Sequence, residues 1–161
     1  RLGGGGVLVI LGGFLEKKDW YAKMLEAYKT DEYLLKVIAL EKDRMKTLVT
    51  LGDENQFLFQ DALDYAPTML AWKGNAVDVT VAALDQALTL AESFDESMWQ
   101  RESLTEKFLA AAGEKRGDFL WPLRVALSGL ERSPSAMDIL WVLGRERSLT
   151  RLRVAKEKLS V

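Results

Sequence analysis

Apolar positions recur three and four residues apart along most of the chain, which is the spacing of amphipathic helices. From Lys17 this pattern predicts helix almost continuously to about Thr50, with Asp31 as an N-cap. A long helix is predicted from about Ala76 to Glu92. Convincing period-2 alternation, which would indicate strands, is absent outside the Gly-rich start. The sequence therefore predicts an all-α protein.

Turn-forming residues divide this helical pattern into parts. Gly52 and Asp53 interrupt it before an aromatic helix over 57–65, and Lys73–Asn75 breaks it again just before the long helix. We place a boundary at this second break, and the expected architecture is a two-part helical bundle. The predicted regions are a Gly-rich leader of unclear role over 1–18, a first helical subdomain over 19–74 and a second over 75–161.

The tail is expected to consist of short helices. Ser133 followed by Pro134 has the pattern of an N-cap and a first helical residue. The last helix is predicted from Arg145 to about Leu159, with Arg147, Arg151 and Lys158 on one face. The expected helix-dividing glycines are Gly117, Gly129 and Gly144.

Composition restricts the classes of function. The 161 residues are 48% hydrophobic and 29% charged, as in an ordinary globular protein, and no uncharged apolar run reaches 18 residues, so no membrane span is expected. The apolar start resembles a signal peptide only loosely, because glycines interrupt it. The chain contains neither cysteine nor histidine. This excludes disulfides, a His-based triad and His metal ligands, fits a cytoplasmic location, and favours binding over catalysis.

Charge is distributed unevenly along the chain. Residues 1–99 contain 10 Lys/Arg and 16 Asp/Glu, whereas residues 100–161 contain 12 Lys/Arg and 8 Asp/Glu. The net charge of −2 thus combines an acidic body with a basic end. A basic end is a reasonable footprint for a polyanion. A solvated charged helix at the C-terminus explains the same pattern, and charge alone does not choose between them.

Two further features of the tail are candidates for function. Arg124 is an isolated cation in an apolar helix: it either pairs with a carboxylate such as Asp138 or caps nearby carbonyls, or it contacts a phosphate or base. The turn from Gly129 to Ala136 carries Arg132 and leads into helix N–H groups that would suit an anion. A well-capped helix start is the simpler explanation of that turn. The five tryptophans are expected to fill the core or an interface.

Several tail segments share their order and spacing with one known family. They are Glu114–Gly117, Pro122–Gly129 (Pro-Leu-Arg-Val-Ala-Leu-Ser-Gly), Ser133-Pro134 and Ile139–Glu146, continued by Leu149 and Arg151-Leu152. Asp43–Leu48 resembles a Glu-Arg-X-Lys-Thr-Leu element of the same family. Over roughly 19–159, the chain resembles the anticodon-binding region of bacterial-type glutamyl-tRNA synthetases.

The resemblance implies a two-part, α-helical anticodon-binding region that grips the anticodon stem-loop of glutamate tRNA. Arg132 resembles the arginine that reads the third anticodon base in enzymes that separate glutamate from glutamine tRNA. Ala136 matches a position that packs an anticodon base, where the family often has Leu, and Arg124 matches a basic position near the anticodon loop. The turn carrying Ser133 and Pro134 is expected to read bases. The expected phosphate contacts are Arg44, Lys115, Arg116, Arg147 and Arg151.

Catalytic motifs of that family are missing from this chain. A chain without histidine cannot contain the His-X-Gly-His type motif, and its Lys23-Met24 pair continues into Leu25 rather than a Lys-Met-Ser-Lys type loop. ATP, Mg and glutamyl transfer would therefore belong to a separate catalytic domain. We expect no cofactor or metal here, no catalysis by this chain alone, and no DNA or membrane partner. The alternative is a helical protein-interaction module, or a truncated paralogue without RNA, using the acidic first part and exposed aromatics.

Overall fold

A computed structural model describes residues 10, 12–42, 44 and 46–160. Most of the predicted Gly-rich leader, residues 1–9 and 11, lies outside these residues, as do Asp43 and Met45 of the Asp43–Leu48 element. Throughout the described part of the chain the regular elements are helical, which confirms the all-α prediction. Within that same part, no helix combines the length and apolarity needed to cross a membrane.

The chain forms two compact units, one ending at Leu63 and the other beginning at Asp64. The first unit is made of short helical pieces around clustered aromatic rings. The Phe59 ring centroid lies 5.4 Å from that of Tyr21, 5.6 Å from that of Trp20 and 6.0 Å from that of Tyr33. Residues 12–16 are helical, and they are followed by α1 (Asp19–Ala22), α2 (Asp31–Glu41) and the 3-10 helices Glu26–Tyr28, Leu48–Thr50 and Asp53–Phe59.

The prediction of a nearly continuous helix from Lys17 to Thr50 is therefore wrong. The N-cap of α2 is Thr30, whose Oγ1 accepts from the Tyr33 N–H at 3.3 Å, and Asp31 is already helical. At the other end, the buried Glu41 side chain accepts from Asn55 Nδ2 at 2.6 Å. Such contacts between distant residues, together with ring packing, override the helical spacing that the sequence displays.

The second unit is a bundle of five α-helices. In chain order they are α3 (Val77–Ser93), α4 (Arg101–Ala112), α5 (Arg116–Ser128), α6 (Ala136–Leu143) and α7 (Arg145–Leu159). Helix α5 is central, because it packs against each of the other four and also against the 3-10 helices Pro67–Leu70 and Trp72–Gly74. Leu123, Val125 and Leu127 of α5 are fully buried. The bounds of α3 and α7 agree closely with the prediction.

Gly117 does not divide helices as predicted but lies inside α5. Its role is steric: a Cβ added there would lie 2.1 Å from Nε1 of Trp72. Gly129 and Gly144 do follow helix ends, with φ of 70° and 82°. These left-handed values favour glycine, because other residues pay a steric penalty there.

The Lys73–Asn75 break is present, with Lys73 itself at φ 48°. The 3-10 helix before this break and the one that overlaps it both pack on α5, so the division by packing falls earlier than the predicted 74/75 boundary. The assignment of 19–74 and 75–161 to two anticodon-binding subdomains stays a prediction.

Candidate nucleic-acid interface

Residues 129–135 form the turn between α5 and α6, which we call the 129–135 turn. Gly129 opens it in a left-handed conformation, and its N–H donates to the Val125 carbonyl at 2.7 Å. Ser128 Oγ donates to the Arg124 carbonyl at 2.7 Å and accepts from the Leu130 N–H at 3.1 Å. The backbone is thus fixed where it leaves α5, because these hydrogen bonds satisfy groups that a helix end leaves free.

Arg124 holds the middle of this turn. Its Nη1 donates to Ser133 Oγ at 2.9 Å, and its Nη2 donates to the Glu131 carbonyl at 2.8 Å. Its guanidinium lies 4.9 Å from the Trp121 ring centroid, and burial lowers the pKa of Arg124 below its usual value. Of the internal roles considered from the sequence, capping of nearby carbonyls is the one observed. Asp138 instead accepts from Arg101 Nε at 2.8 Å.

Arg132 lies between the two residues that Arg124 holds. It is exposed, and its guanidinium has no polar partner among the residues that the structure describes. Ser133 is half-buried, and its Oγ donates to the Pro134 carbonyl at 2.9 Å while accepting from Arg124. The turn therefore presents one solvated guanidinium on a backbone that is fixed on both sides. A planar donor fork of this kind suits a phosphate or a base edge.

Helix α6 starts later than the sequence suggested. Its N-cap is Ser135, whose Oγ accepts from the Asp138 N–H at 3.2 Å, so the prediction of Ser133 as N-cap and Pro134 as first helical residue is wrong. Ser133 serves Arg124 instead, and Pro134 is buried. Ala136 is only 3% exposed. Its methyl group faces the core, so a base packed against that side chain would require local movement.

Lys115 and Arg116 stand at the opposite end of α5. Both are exposed, and neither side chain has a polar partner in the described part of the chain. Ser128 lies twelve positions after Arg116, which corresponds to about 18 Å along a helix axis. These two cations and the 129–135 turn therefore offer charge at two separate places in the second unit.

The cations of α7 have a different environment. Arg145 Nε donates to the Phe94 carbonyl at 2.7 Å, and its Nη1 pairs with Glu146 at 2.8 Å. Lys158 Nζ lies 4.5 Å from the Tyr65 ring centroid. The ion pairs to α3 are Arg153 with Glu92 and Lys156 with Asp85. These four cations of α7 are therefore each engaged by another group of the second unit.

Arg151 is the clearest departure from the expected phosphate contacts. It is 5% exposed, and its Nη1 donates to the Leu127 carbonyl at 2.7 Å. Leu127 lies in the last turn of α5, where carbonyls lack intrahelical partners and a cation interacts favourably with the helix dipole. Arg151 thus caps α5 from inside the bundle, and this burial removes it from the phosphate contacts. Arg147 is partly exposed, and its contact with tRNA stays a prediction.

Arg44 belongs to the first unit. It is exposed just beyond α2, and its backbone N–H donates to the Glu41 carbonyl at 2.9 Å. Burial raises the pKa of the Glu41 carboxyl, while the hydrogen bond from Asn55 and the charge of Arg44 act in the opposite direction. Arg44 is therefore exposed to solvent, and its positive charge also interacts with the Glu41 carboxyl.

Sequence reasoning missed Trp121 as part of this site. It stands three residues before Arg124 on α5, and residues at this spacing share a helix face. An aromatic residue three positions from an isolated arginine is thus a signal for a stacked pair. The role of Gly117 had no such signal, because it depends on Trp72 from another part of the chain.

Comparison with known proteins identifies the class. A family model described as an anticodon binding domain matches residues 18–156. The chain therefore belongs to the anticodon-binding domain family.

Relatives within this family are glutamate–tRNA ligases, which confirms the resemblance seen in the tail motifs. The ligase of Lachnoclostridium phytofermentans is 32% identical over 155 residues, covering 91% of this chain and 31% of the ligase. A ligase of Brucella melitensis is 41% identical over 118 residues, covering 69% of this chain and 23% of the ligase. The chain thus spans less than a third of the length of these curated relatives.

The fold agrees with a solved structure. A glutamate–tRNA ligase from Elizabethkingia meningosepticum superposes with a TM-score of 0.72 at 22% identity, covering 99% of this chain and 30% of that one.

Proposed function

We propose that this chain binds the anticodon stem-loop of glutamate tRNA, as the tRNA-reading part of a glutamate–tRNA ligase. The observation that carries this proposal is the 129–135 turn, where Arg124 fixes the backbone on both sides of an exposed Arg132. Proteins read RNA sequence mainly in single-stranded loops, because unstacked bases expose their hydrogen-bonding edges. A rigid turn with one solvated guanidinium suits such a base. Membership of the anticodon-binding domain family supports the same function.

Base reading and positioning fall to different residues in this proposal. Arg132 contacts an anticodon base, while Ser133 and Pro134 shape the turn beside it. Lys115 and Arg116 contact phosphates near the start of α5, and Arg44 and Arg147 supply further phosphate contacts. Ala136 contributes through its backbone at the start of α6. Activation of glutamate with ATP and Mg takes place in another domain of the ligase, so this chain alone is not catalytic.

A titration with labelled RNA tests the proposal. The probe is a fluorescent RNA with the anticodon stem-loop of glutamate tRNA, and the control is the same stem with the glutamine anticodon. We expect tighter binding of the glutamate loop, with log K falling linearly with log salt concentration, because phosphate contacts release counterions. No binding at low salt, or binding that salt does not weaken, would contradict the proposal.

The structure does not support the surface on which the alternative, a protein-interaction module, depends. It relied on exposed aromatic residues in the acidic first part of the chain. Tyr21, Tyr28, Tyr33, Phe57 and Phe59 are all buried there, and in the described part of the chain no aromatic residue is fully exposed.

A further inference from the structure

A stack of aromatic and cationic side chains leads to the 129–135 turn. The ring centroids of Trp72 and Trp121 lie 5.1 Å apart with a tilt of 41°. Lys73 Nζ lies 5.0 Å from the Trp72 ring, and the Arg124 guanidinium lies 4.9 Å from the Trp121 ring. These contacts run from the residues just before α3 to the arginine that holds the turn.

The Trp121 ring is itself fixed by the surrounding structure. Its Nε1 donates to the Met69 carbonyl at 2.8 Å, and Trp72 covers part of its face. Trp72 reaches this position because Gly117 lacks a side chain. The indole is therefore held in one position, and the flexible Arg124 side chain packs against it.

We infer that Trp121 is a positioning residue for anticodon recognition and acts through Arg124. The indole face restricts the guanidinium to a plane from which Nη1 reaches Ser133 and Nη2 reaches Glu131. Without that face, a long arginine side chain has many other rotamers, and the turn that presents Arg132 loses its support. This inference rests on the proposed function, since it assigns Trp121 a part in reading a base.

A tryptophan that only fills space would behave differently. Trp141 provides the comparison, because it is also partly buried and lies 5.2 Å from the guanidinium of Arg101. Arg101 pairs with Asp138 of α6, whereas Arg124 holds the 129–135 turn. Replacing either tryptophan removes an indole ring and its contact with the guanidinium of an arginine. Only the replacement of Trp121 is expected to change base preference.

The first experiment measures the affinity of the purified chain for the two anticodon stem-loop RNAs described above. We expect Trp121→Leu to lower the affinity for the glutamate loop about two- to fivefold, which is the range of a partly exposed cation–π contact. The preference of the chain for the glutamate loop over the glutamine loop should fall as well. Trp121→Phe keeps an aromatic face and should keep the preference. Trp141→Leu should keep it as well. Adding Trp121→Leu to Arg124→Gln should cause no further loss, because both changes remove one linkage.

A second experiment needs no RNA. Amide hydrogen exchange across residues 129–135 of the free chain should be faster in Trp121→Leu than in the unmodified chain, and unchanged in Trp141→Leu. If the leucine variant fails to fold, Trp121→Met, which keeps the bulk without a flat aromatic face, takes its place and should also exchange faster.

The outcomes separate this inference from the proposed function. Unchanged base preference in Trp121→Leu, or an effect that adds fully to that of Arg124→Gln, would overturn the positioning role. If the unmodified chain binds neither RNA, the proposed function is wrong and the role of Trp121 in recognition falls with it. The exchange measurement then still decides whether Trp121 holds the turn, and equal exchange in all variants would refute that as well.

Discussion

The arginines at the 129–135 turn and the cations of helix α7 use their charge in opposite ways. At the turn, Arg124 of α5 donates to Ser133 and Glu131 and leaves Arg132 solvated. In α7, Arg145 and Arg151 donate to carbonyls inside the bundle. The excess of positive charge over residues 100–161 therefore overstates the charge that a polyanion could reach.

Arg124 and Arg151 show how the two environments differ. Both cap carbonyls near the end of α5, and both therefore stabilise the point where the chain enters the turn. Arg151 does so from within the core, whereas Arg124 does so at the surface over an aromatic ring. Arg151 and Arg124 thus stabilise the same turn from two sides, and together they fix the backbone that carries the exposed Arg132.

The largest expected effect is on the free energy of unfolding, and it comes from replacing the buried Arg151. Arg151→Ala should lower the free energy of unfolding by about 2–3 kcal/mol, because a charge-assisted hydrogen bond is lost and the Leu127 carbonyl remains buried. Urea unfolding measures it. The matched control is Arg153→Ala on the same helix, whose exposed ion pair with Glu92 should contribute no more than about 0.5 kcal/mol. Equal losses in both variants would contradict the assignment of Arg151 to the interior.

The support beneath the turn is tested by Gly117→Ala. The new Cβ would overlap the Trp72 indole, so we expect a loss of about 1–2 kcal/mol from overpacking and a red shift of tryptophan fluorescence. Gly13→Ala is the control, since no atom of the described residues lies within 4 Å of a Cβ there. Truncating Trp72 in the Gly117→Ala background should recover part of the loss. An unchanged spectrum would show that the indole does not approach the helix so closely.

Tyr65 gives the smallest effect at neutral pH and a dependence of stability on pH in the alkaline range. Burial raises its pKa to about 12, opposed by the charge of Arg151, and its hydroxyl has no hydrogen-bond partner within the described residues. In the unfolded chain the phenol ionises near pH 10, so the folded state holds the extra proton between about pH 10 and 12. The free energy of unfolding should therefore fall as pH rises through that window.

The variant Tyr65→Phe should remove the contribution of Tyr65 to this pH dependence, while Tyr21, whose pKa burial also raises, keeps its own. The variant should also be neutral or slightly stabilising at pH 7, by up to about 1 kcal/mol, because a buried unpaired hydroxyl is lost. Thermal unfolding across the pH range compares the two chains. A clear loss of stability at pH 7 would mean that the hydroxyl has a partner after all.

The second unit was largely predictable because its helices follow the sequence pattern. The apolar spacing gave α3 and α7 nearly to the residue, and Gly129 and Gly144 marked real helix ends. Local capping was less predictable: Ser133, Ser135 and Asp138 all suit a helix start, and the choice between them depends on Arg124, which removes Ser133 from that role.

The first unit was predicted poorly because contacts between distant residues shape it. The Glu41 to Asn55 hydrogen bond and the packing of Phe59 with three other rings have no signature in local spacing. The same limit applies to the site. Charge in the sequence pointed to Arg124, Arg132 and Arg151 alike, but only their surroundings distinguish a held, a solvated and a buried guanidinium.

The most direct measurement is the salt dependence of binding to the glutamate anticodon stem-loop. Two triple variants, each losing three positive charges, are compared with the unmodified chain: Lys115→Ala/Arg116→Ala/Arg132→Ala, and Arg153→Ala/Lys156→Ala/Lys158→Ala. We expect the first to reduce the slope of log K against log salt by about 1.4, since Lys115 and Arg116 are each assigned a phosphate contact, worth about 0.7 for single-stranded RNA, and the second to leave it unchanged. A reduced slope in the α7 variant, with an unchanged slope in the other, would contradict the account.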